Sequence, residues 1–375
     1  MDAELRAQVA EALVDTGRYG PGFEVLRQAV SGSRQNYLLR VDDDANDDKA
    51  VVWCRATYES IDDSFAGRFT LAREAVILRR LAALPVSVPR ILGSSASGRA
   101  LIQSCIGERD PVDEATRERD IARFFVALDQ MYLLDPRQVL PAEEFASVRS
   151  PADAVHAEVT AWATLAQQLL TADRLAEVER QGILRDVARR VDDVLSALTA
   201  VRIPDVGNEL DFVHGDAGRA NYLVDHAGEV WIIDFELAHA GSRLEDFAWI
   251  ELRGLEQDEH VWRRHVVERL DLMGESAIDA YRYFRMLIYF RSVVAIAARI
   301  AADPTHSFAT YLAQRFVENE MLGWLSEAAL PHADGLPRSP ASSDPSSAFT
   351  PASEVRLRAW QHWTESIDAL MTGAR

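Results

Sequence analysis

Polar residues at fixed spacings follow two short apolar runs in the second half of the chain. His214, Gly215 and Asp216 follow the first run, and four residues separate Asp216 from Asn221. Asp234 follows the second run. Phosphoryl transfer requires a carboxylate that takes the proton of an attacking hydroxyl. It also requires oxygen ligands that hold Mg²⁺ on the nucleotide phosphates, which an amide and a second carboxylate can supply. This set of residues therefore favours phosphoryl transfer.

Each of these residues also has an ordinary structural explanation. A single Asp or Asn after a strand usually completes a turn or caps a helix. The complete set at these spacings would arise by chance in a chain of this length with odds on the order of 10⁻³. We therefore interpret the segment as catalytic.

The residues before Gly107 predict a small antiparallel sheet that carries one helix. Amphipathic spacing predicts helices over residues 1–20 and 70–84. Short apolar runs between turn-rich stretches predict strands at 23–26, 37–41, 50–55, 91–93 and 100–103.

The spacing becomes mostly helical after Gly107. Residues 112–200 and 244–328 have helical spacing, whereas residues 209–236 consist of short strands and loops. Residues 329–353 are rich in Pro and Ser and predict a flexible segment, and helical spacing returns over 354–371.

A known family has the same motif. His-Gly-Asp-x₄-Asn followed by Ile-Asp-Phe-Glu resembles the aminoglycoside phosphotransferase/choline kinase family, which has a protein-kinase-like fold. The stretch from Glu236 to Trp249 further resembles the branch whose domains are also found fused to acyl-CoA dehydrogenases. The resemblance covers roughly residues 22–325 and is strongest over 212–250.

This resemblance implies an α+β fold with two lobes. The small antiparallel sheet over residues 1–106 would form a nucleotide-binding lobe. Residues 107–375 would form a larger, mostly helical lobe that contains the catalytic loop at 208–250 and the helices of the acceptor site.

The resemblance also implies a role for each matched polar residue. Asp216 would be the catalytic base, and Asn221 and Asp234 would bind Mg²⁺. His214 would brace the catalytic loop rather than react, and Glu236 would support the site from the position after the metal ligand.

Asp246 has two compatible interpretations. By the resemblance it would buttress the catalytic loop from the next helix. As an acidic residue near the start of a helix, it could equally be present because the helix dipole favours negative charge there.

The nucleotide phosphates would be covered by the loop at 31–36, which includes Gly32, Ser33, Arg34 and Asn36. Arg55 ends a predicted strand where kinases carry a lysine, and Glu74 on the following helix would pair with it. A surface arginine and a solvated glutamate are the alternative, but the motif downstream favours the ion pair.

The strand that ends near residue 103 resembles the linker between the lobes of a kinase. Backbone groups of Gln103 and Cys105 would hydrogen-bond to adenine. We expect the thiol of Cys105 to pack against other residues rather than take part in chemistry.

Three positions depart from the family pattern. Arg55 replaces lysine, Tyr132 stands where many relatives have histidine, and residues 241–243 read Gly-Ser-Arg instead of Gly-Asp-Pro. An inactive pseudokinase that acts as a nucleotide sensor or scaffold is therefore an alternative. Because an inactive relative would more often have lost Asp216, Asn221 or Asp234, an active enzyme is favoured.

The acceptor site has two opposing signals. An acidic pocket would suit a cationic acceptor such as an aminoglycoside or a basic peptide antibiotic, whereas a solvated acidic face is the ordinary alternative. The acidic residues concerned are Glu236, Glu245, Glu251, Glu256, Asp258 and Glu259. Aromatic residues could instead line an apolar pocket for a macrolide-like or acyl acceptor, although most are expected in the core. They are Trp249, Trp262, Tyr281, Tyr283, Phe284, Tyr289 and Phe290.

The composition excludes several kinds of partner. The formal net charge of −19 would repel polyanions, so we expect neither nucleic acid nor a membrane surface as a partner. Two cysteines and an acidic first segment predict a cytoplasmic protein. The expected partners are a nucleoside triphosphate, either ATP with Mg²⁺ or GTP, and a small-molecule alcohol.

Overall fold

The structure, a computed structural model of the chain, forms two compact units. Unit 1 consists of Met1–Pro151 and Glu209–Asp246, and unit 2 consists of Ala152–Asn208 and Phe247–Arg375. The described residues are 1–31, 34–43, 48–57, 70–107, 109, 113–146, 148–169, 209–253, 259–277, 280–281, 283–285, 287–288 and 290–291. All described residues with an expected part in catalysis or nucleotide binding lie in unit 1.

Unit 1 begins with a helix, a sheet and a second helix. The elements are α1 (Ala3–Asp15), β1 (Tyr19–Ser31), β2 (Arg34–Asp43), β3 (Asp48–Ala56), α2 (Leu71–Leu81), β4 (Ile91–Ser94) and β5 (Ala100–Ser104). The five strands form one antiparallel sheet in the order β1-β2-β3-β5-β4. The predicted antiparallel sheet is confirmed, and its first two strands are longer than the predicted runs.

The two faces of this sheet bury different helices. Alternate residues of a strand point to opposite faces, so each strand can supply two sets of contacts. One set packs with α1 to form a core. The fully buried residues of this core are Leu5, Val9, Ala12, Leu13, Tyr37, Leu39, Cys54, Ala56, Ala100 and Ile102. On the other face, Leu101 packs with Leu71 and Ala75 of α2.

Side-chain caps explain where these helices begin. The carboxylate of Asp2 accepts a hydrogen bond from the backbone N–H of Leu5 at 2.8 Å. The hydroxyl of Thr70 accepts one from the N–H of Arg73 at 3.1 Å. Each cap satisfies one of the N–H groups that have no partner inside the first turn of a helix.

The rest of unit 1 is built of helices and short strand pairs. The helices are α3 (Glu114–Tyr132), α4 (Pro136–Val139) and a 3₁₀ turn at Ala142–Phe145. The strands are β6 (Asp211–Val213), β7 (Tyr222–Val224), β8 (Val230–Ile232) and β9 (His239–Gly241). β6 pairs with β9 and β7 pairs with β8, both antiparallel. The 3₁₀ turns Arg219–Asn221 and Phe235–Leu237 flank the β7–β8 hairpin.

Unit 2 is helical in the residues that the structure describes. Its elements are α5 (Pro151–Leu169), which begins at the last residue of unit 1, the later part of α6 (Arg243–Arg253), and α7 (Glu259–Met273). The predicted aromatic core is confirmed at the described positions, which are Trp249, Trp262, Tyr281, Tyr283, Phe284 and Phe290. The side chain of Tyr289 lies outside the described residues.

Several predictions concern residues that the structure does not describe. They include residues 170–200 of the first predicted helical stretch, the Pro- and Ser-rich segment at 329–353, and the helix predicted at 354–371. The boundary between lobes after residue 106 stays a prediction. In the described part of the chain, none of the helices is both long and apolar enough to cross a membrane.

Candidate active site

Strand β3 directs Arg55 towards the face of the sheet that carries α2. Its neighbours Cys54 and Ala56 belong to the core on the α1 face, so the alternation of the strand turns Arg55 the other way. The residue opposite Arg55 in β5 is Leu101, which packs against α2. A shift of register by one residue would reverse the two faces, so the pairing of β3 with β5 determines where the guanidinium points.

Three carboxylates surround the buried guanidinium of Arg55. Nη1 donates to Glu74, and Nη2 donates to the carboxylate of Asp234 at 2.8 Å. The carboxylate of Glu236 lies 3.9 Å from Nη2. We call these four residues the Arg55 cluster. Burial alone would lower the pKa of Arg55, but Asp234, Glu74 and Glu236 together outweigh burial and raise it.

The ion pair between Arg55 and Glu74 that the sequence predicts is confirmed. Glu74 is completely buried and Arg55 is 5% exposed, so the alternative of a surface arginine and a solvated glutamate is wrong. Arg55 points to the face of the sheet on which α2 packs. Residues that are 19 positions apart in the sequence therefore come into contact.

Asp234 has a backbone conformation that is unusual for its residue type. Its φ is 66° and its ψ is 62°, and no other non-glycine residue in the described ranges has a positive φ. A non-glycine residue pays roughly 1–2 kcal/mol for this left-handed conformation. Such strain persists where neighbouring contacts hold the residue in place, and it is common at functional sites.

Asp216 and Asn221 are bonded to each other at the start of the catalytic loop. Nδ2 of Asn221 donates to the carboxylate of Asp216 at 2.8 Å and to its backbone oxygen at 2.7 Å. The N–H of Ile233 donates to the backbone oxygen of Asn221 at 3.0 Å. This last bond ties the Asp216–Asn221 pair to the residue that directly precedes Asp234.

His214 connects the same two parts of the loop through its ring. Nδ1 accepts a hydrogen bond from the N–H of Asp216 at 3.2 Å, and Nε2 donates to the backbone oxygen of Ile233 at 2.9 Å. These partners assign the neutral tautomer with its proton on Nε2. Because both nitrogens have backbone partners and the ring is completely buried, the arrangement suits the bracing role expected for His214.

Asp246 accepts three hydrogen bonds in the interior of unit 1. The donors are the N–H of His214 at 2.9 Å, the N–H of Gly215 at 2.8 Å and the hydroxyl of Tyr132 at 3.1 Å. Asp246 also lies in the first turn of α6. Both interpretations of Asp246 are therefore met, and Tyr132, one of the departures from the family pattern, is part of the same network.

Burial sets the protonation of this network. It raises the pKa of the Asp246 carboxyl, although the bonds from His214 and Gly215 oppose that change. Burial, with the nearby charge of Asp246, also raises the pKa of Tyr132 well above its ordinary value. Tyr132 therefore stays a hydroxyl donor throughout the physiological range.

Gly215 occupies a place that no other residue type fits. Its φ is 78°, in the left-handed region that glycine enters without cost. A Cβ at this position would overlap the backbone oxygen of Leu237. The close approach lets the catalytic loop pass directly over the segment that follows Asp234.

The loop expected at 31–36 is much shorter than predicted. Ser31 lies in β1, and Arg34 and Asn36 lie in β2, so only Gly32 and Ser33, which lie outside the described residues, separate the strands. Pairing of Ser31 with Arg34 extends the ladder to the end of the hairpin. Asn36 is buried and lies directly across from Arg55. Asn36 thus lies beside the Arg55 cluster. Phosphate binding by Asn36 stays a prediction.

The predicted linker has one buried and one exposed residue. Gln103 is buried within β5, with Trp53 of β3 and Ile91 of β4 as its neighbours across the sheet. Cys105 follows the end of the strand and is exposed, and the expectation that its thiol packs rather than takes part in chemistry stays a prediction. Adenine binding by either backbone stays a prediction.

Two acidic residues of the predicted acceptor site, Glu245 and Glu251 of α6, have hydrogen-bond partners inside the protein. Glu245 accepts a hydrogen bond from Nε2 of His239 at 3.0 Å and is completely buried. Glu251 accepts one from the hydroxyl of Tyr281 at 2.6 Å and lies 3.4 Å from Nε of Arg285. Neither an acidic pocket nor a solvated face describes these two residues. Glu256, Asp258 and the side chain of Glu259 lie outside the described residues.

Sequence reasoning missed Arg73, the residue before Glu74. Its guanidinium donates to the backbone oxygens of Glu236 and Ala238, directly after Asp234. An arginine on an amphipathic helix is ordinarily exposed, so its type carried no signal. Its position next to Glu74 was the one feature that could have drawn attention to it.

The arrangement fits a hard divalent cation. Since Nδ2 of Asn221 bonds to Asp216, Oδ1 is the atom that Asn221 can offer to a metal. Asp234 and Glu236 add carboxylate oxygens, the ligand type that Mg²⁺ prefers. Three carboxylates around one guanidinium also leave an excess of two negative charges in the Arg55 cluster when all are ionised.

The comparison with known protein families identifies one match. The model of the phosphotransferase enzyme family matches residues 21–283, which is more than half of the chain. A search of curated proteins finds no relative of this chain by sequence.

Solved structures with similar folds include three phosphotransferases. A choline/ethanolamine kinase family protein from Mesorhizobium loti is 19% identical with a TM-score of 0.52, covering 88% of this chain and 99% of that one. Aminoglycoside phosphotransferase APH(4)-Ia is 15% identical with a TM-score of 0.55, covering 83% and 95%. An ethanolamine kinase from Plasmodium vivax is 14% identical with a TM-score of 0.53, covering 81% and 83%.

At these identities the likeness concerns the fold alone. It confirms the kinase-like α+β fold that the motif implies. A thermostable mutant of APH(4)-Ia was solved in a ternary complex with AMP-PNP and hygromycin B, so that relative holds a nucleotide analogue and a small molecule together.

Proposed function

The chain belongs to the phosphotransferase enzyme family, and from that premise we propose that it transfers the γ-phosphate of ATP to a hydroxyl group of a small molecule. One observation carries the proposal. The structure joins the Asp216–Asn221 pair to the Arg55 cluster through Ile233, although Arg55 and Asp234 are 179 positions apart in the chain. The residues that we assign as base, oxygen ligands and phosphate-binding cation thus belong to one bonded arrangement.

Asp216 is the residue we assign to the acceptor. Its carboxylate is held by Nδ2 of Asn221 and its backbone N–H by the ring of His214, which restricts its orientation. In that position it would orient the acceptor hydroxyl and take its proton as the bond to phosphorus forms. General acid–base catalysis of this kind typically contributes about 10²–10⁴-fold in rate.

Asn221 and Asp234 are the residues that would hold Mg²⁺, with Glu236 as an additional oxygen donor. Bound there, the ion would neutralise charge on the β- and γ-phosphates. Arg55 would bind phosphate oxygens with the fork of its guanidinium, as the lysine of other kinases does with a point charge. Glu74 keeps Arg55 in place from α2.

The acceptor we propose is an alcohol, with an antibiotic or a hydroxylated metabolite as the candidates. The burial of Glu245 and Glu251 against their own partners removes much of the support for a cationic acceptor. An aminoglycoside, macrolide or peptide antibiotic as acceptor would imply a role in antibiotic resistance. The location we propose is the cytoplasm, because that compartment supplies ATP. The inactive pseudokinase is less favoured because Asp216, Asn221 and Asp234 are all present in bonded positions.

Replacing Asp216 tests the assigned base. Asp216→Ala should lower phosphotransfer by about 10²–10⁴-fold, because the proton of the acceptor then has no positioned base. ATP binding measured by calorimetry should change little. A panel of alcohols and antibiotics with radiolabelled ATP provides the assay, and undiminished transfer in this variant would rule out Asp216 as the base.

Replacing Asp234 tests the metal site separately. Asp234→Ala should remove the dependence of ATP binding on Mg²⁺, because one of the two principal protein ligands is lost. The same calorimetric titration with and without Mg²⁺ measures the effect. If the variant binds Mg²⁺ and ATP as the unaltered protein does, Asp234 is not a metal ligand.

A further inference from the structure

Arg73 connects α2 with the backbone that follows Asp234. Its Nη2 donates to the backbone oxygen of Ala238 at 2.5 Å, and its Nη1 donates to that of Glu236 at 3.3 Å. The Nε and Nη2 groups also bond to the two carboxylate oxygens of Glu144, at 2.7 and 2.9 Å. Arg73 itself is only 9% exposed, and its bond to Ala238 is buried.

These bonds complete a closed path around the proposed metal ligand. Glu74, the residue after Arg73, bonds to Arg55, and Arg55 bonds to Asp234. Two residues after Asp234, the backbone oxygen of Glu236 accepts a hydrogen bond from Arg73, which closes the path. Two sets of bonds therefore determine the position of Asp234 relative to α2. One involves its side chain, and the other involves the backbone that follows it.

Asp234 needs such support because its backbone is strained. Its φ of 66° lies in the left-handed region, which is less favourable for a residue with a side chain and persists where surrounding contacts hold it. Arginine is suited to restrain it, because a guanidinium presents several donors in one rigid plane. The carboxylate of Glu144 offsets the charge that this buried guanidinium brings.

A second arginine on the same helix offers a natural control. Arg80 lies seven positions after Arg73, about two helical turns, and therefore on the same side of α2. It donates to the backbone oxygens of Val139 and Leu140 at the end of α4. Arg80 is exposed, unlike Arg73, but it also anchors α2 through backbone oxygens, and its bonds lead to α4 and not to the backbone after Asp234.

We propose that Arg73 is a positioning residue that holds Asp234 in the geometry needed to bind the nucleotide-bound cation. The proposal rests on the proposed function, since it presupposes that Asp234 is a metal ligand. Arg73 acts through the backbone oxygens of Glu236 and Ala238 and touches neither substrate nor metal. Its loss should weaken cation binding without removing any ligand.

The test compares Arg73→Gln with Arg80→Gln in the full chain. Replacing a residue that hydrogen-bonds to a metal ligand typically lowers metal affinity by about 10–100-fold. Arg73→Gln should therefore raise the Mg²⁺ concentration needed for half-maximal ATP binding by at least about 10-fold. Arg80→Gln should leave that concentration within about twofold. Arg73→Lys, which keeps the charge and can reach part of the acceptors, should give an intermediate value.

Hydrogen exchange in the absence of metal and nucleotide provides a second measurement. Backbone amides over residues 235–238 should exchange faster in Arg73→Gln than in Arg80→Gln, because only the first variant releases that segment. This readout also remains informative if one variant is less stable, since exchange elsewhere in the sheet reports global unfolding.

Two results would overturn the inference. One is an unchanged Mg²⁺ requirement in Arg73→Gln, which would make Arg73 a structural anchor like Arg80 whatever the loss of thermal stability. The other is unchanged exchange over 235–238 in Arg73→Gln. If the unaltered protein binds ATP without any Mg²⁺ dependence, the proposed function itself fails, and the inference fails with it for that separate reason.

Discussion

In the catalytic loop, side chains of His214 and Asp246 bond to backbone groups of the same segment, whereas the Arg55 cluster is held by ion pairs between distant parts of the chain. In the loop, His214 bonds to the backbone of Asp216 and Ile233, and Asp246 bonds to the backbone of His214 and Gly215. In the cluster, the guanidinium of Arg55 bonds to the side chains of Glu74 and Asp234.

The two regions should tolerate different kinds of substitution. Backbone donors and acceptors are present whatever the side chain, so the loop depends on shape, above all where Gly215 passes Leu237. The cluster depends on charge balance, because a buried charge that loses its partner is costly. Substitutions that alter charge should therefore act most strongly in the cluster, and substitutions that alter shape should act most strongly in the loop.

The largest effect on stability should come from removing the charge of Arg55. Arg55→Met keeps much of the volume but leaves Glu74 buried without its cation, and breaking a buried ion pair costs about 3–5 kcal/mol of the free energy of unfolding. Chemical denaturation measures this loss. Arg55→Lys keeps the charge and should restore most of the stability.

An exposed ion pair provides the control for Arg55. Arg40 and Glu24 pair on β2 and β1 with side chains that are 42% and 61% exposed. Arg40→Met should therefore cost less than about 1 kcal/mol. If Arg55→Met were as mild as Arg40→Met, the cluster would not depend on charge balance and the comparison of the two regions would fail.

The second largest effect should come from adding a single methyl group to the loop. Gly215→Ala should destabilise the protein by about 2–4 kcal/mol, because the alanine must adopt a left-handed conformation and its Cβ overlaps the oxygen of Leu237. Phosphotransfer should fall as well, since Asp216 is the next residue.

Gly22 is a suitable reference for this substitution. A Cβ at Gly22 meets no atom within 4 Å, and its φ is not in the left-handed range. Gly22→Ala should thus be neutral or slightly stabilising, by a few tenths of a kcal/mol at most. Thermal unfolding of the two variants side by side measures the contrast, and equal Tm values would show that the loop is not limited by shape.

The smallest effect should be a change in how stability depends on pH. Burial raises the pKa of Asp246 in the folded protein, so the folded state binds its proton more readily than the unfolded state does. The contribution of Asp246 to stability is therefore greatest at low pH and is lost as the pH rises through the raised folded value.

Asp246→Asn removes this titration. The variant should be less stable at pH 7 by about 1–2 kcal/mol, because an amide cannot accept all three hydrogen bonds. Its deficit relative to the unaltered protein should grow as the pH falls from 7 towards about 4, near the ordinary pKa of aspartate. Urea denaturation at several pH values measures this difference.

Tyr132→Phe removes one donor to Asp246 but keeps the carboxyl. It should cost about 1 kcal/mol and should retain the pH dependence of the unaltered protein. A pH dependence of Asp246→Asn that matched that of Tyr132→Phe would show that Asp246 does not titrate in this range.

Sequence reasoning succeeded where function depends on residues close together in the chain. The spacing of Asp216, Asn221 and Asp234 indicated phosphoryl transfer, the motif around them resembled the phosphotransferase family, and the expected pairing of Arg55 with Glu74 is confirmed. It failed at the 31–36 loop, because Arg34 and Asn36 pair in β2 and extend the hairpin. The polar composition of that stretch is typical of a turn and does not reveal strand pairing.

Burial of charged groups was the other property that the sequence did not reveal. Glu245 and Glu251 looked like parts of an acidic surface, yet each has a partner inside its own unit. Whether a carboxylate faces solvent depends on what packs around its helix, and the helical spacing of a single segment does not contain that information.

Residue types and local spacing predicted the short strands, the helices and the polar residues of the candidate site, and the resemblance of the motif indicated the family and its α+β fold. The tertiary structure decided how those residues are held. Arg73 reaches the backbone of Ala238 across 165 positions, and Tyr132 reaches Asp246 across 114. Such bonds exist only once the chain has folded, since hydrogen bonds require contact in space and not proximity in sequence.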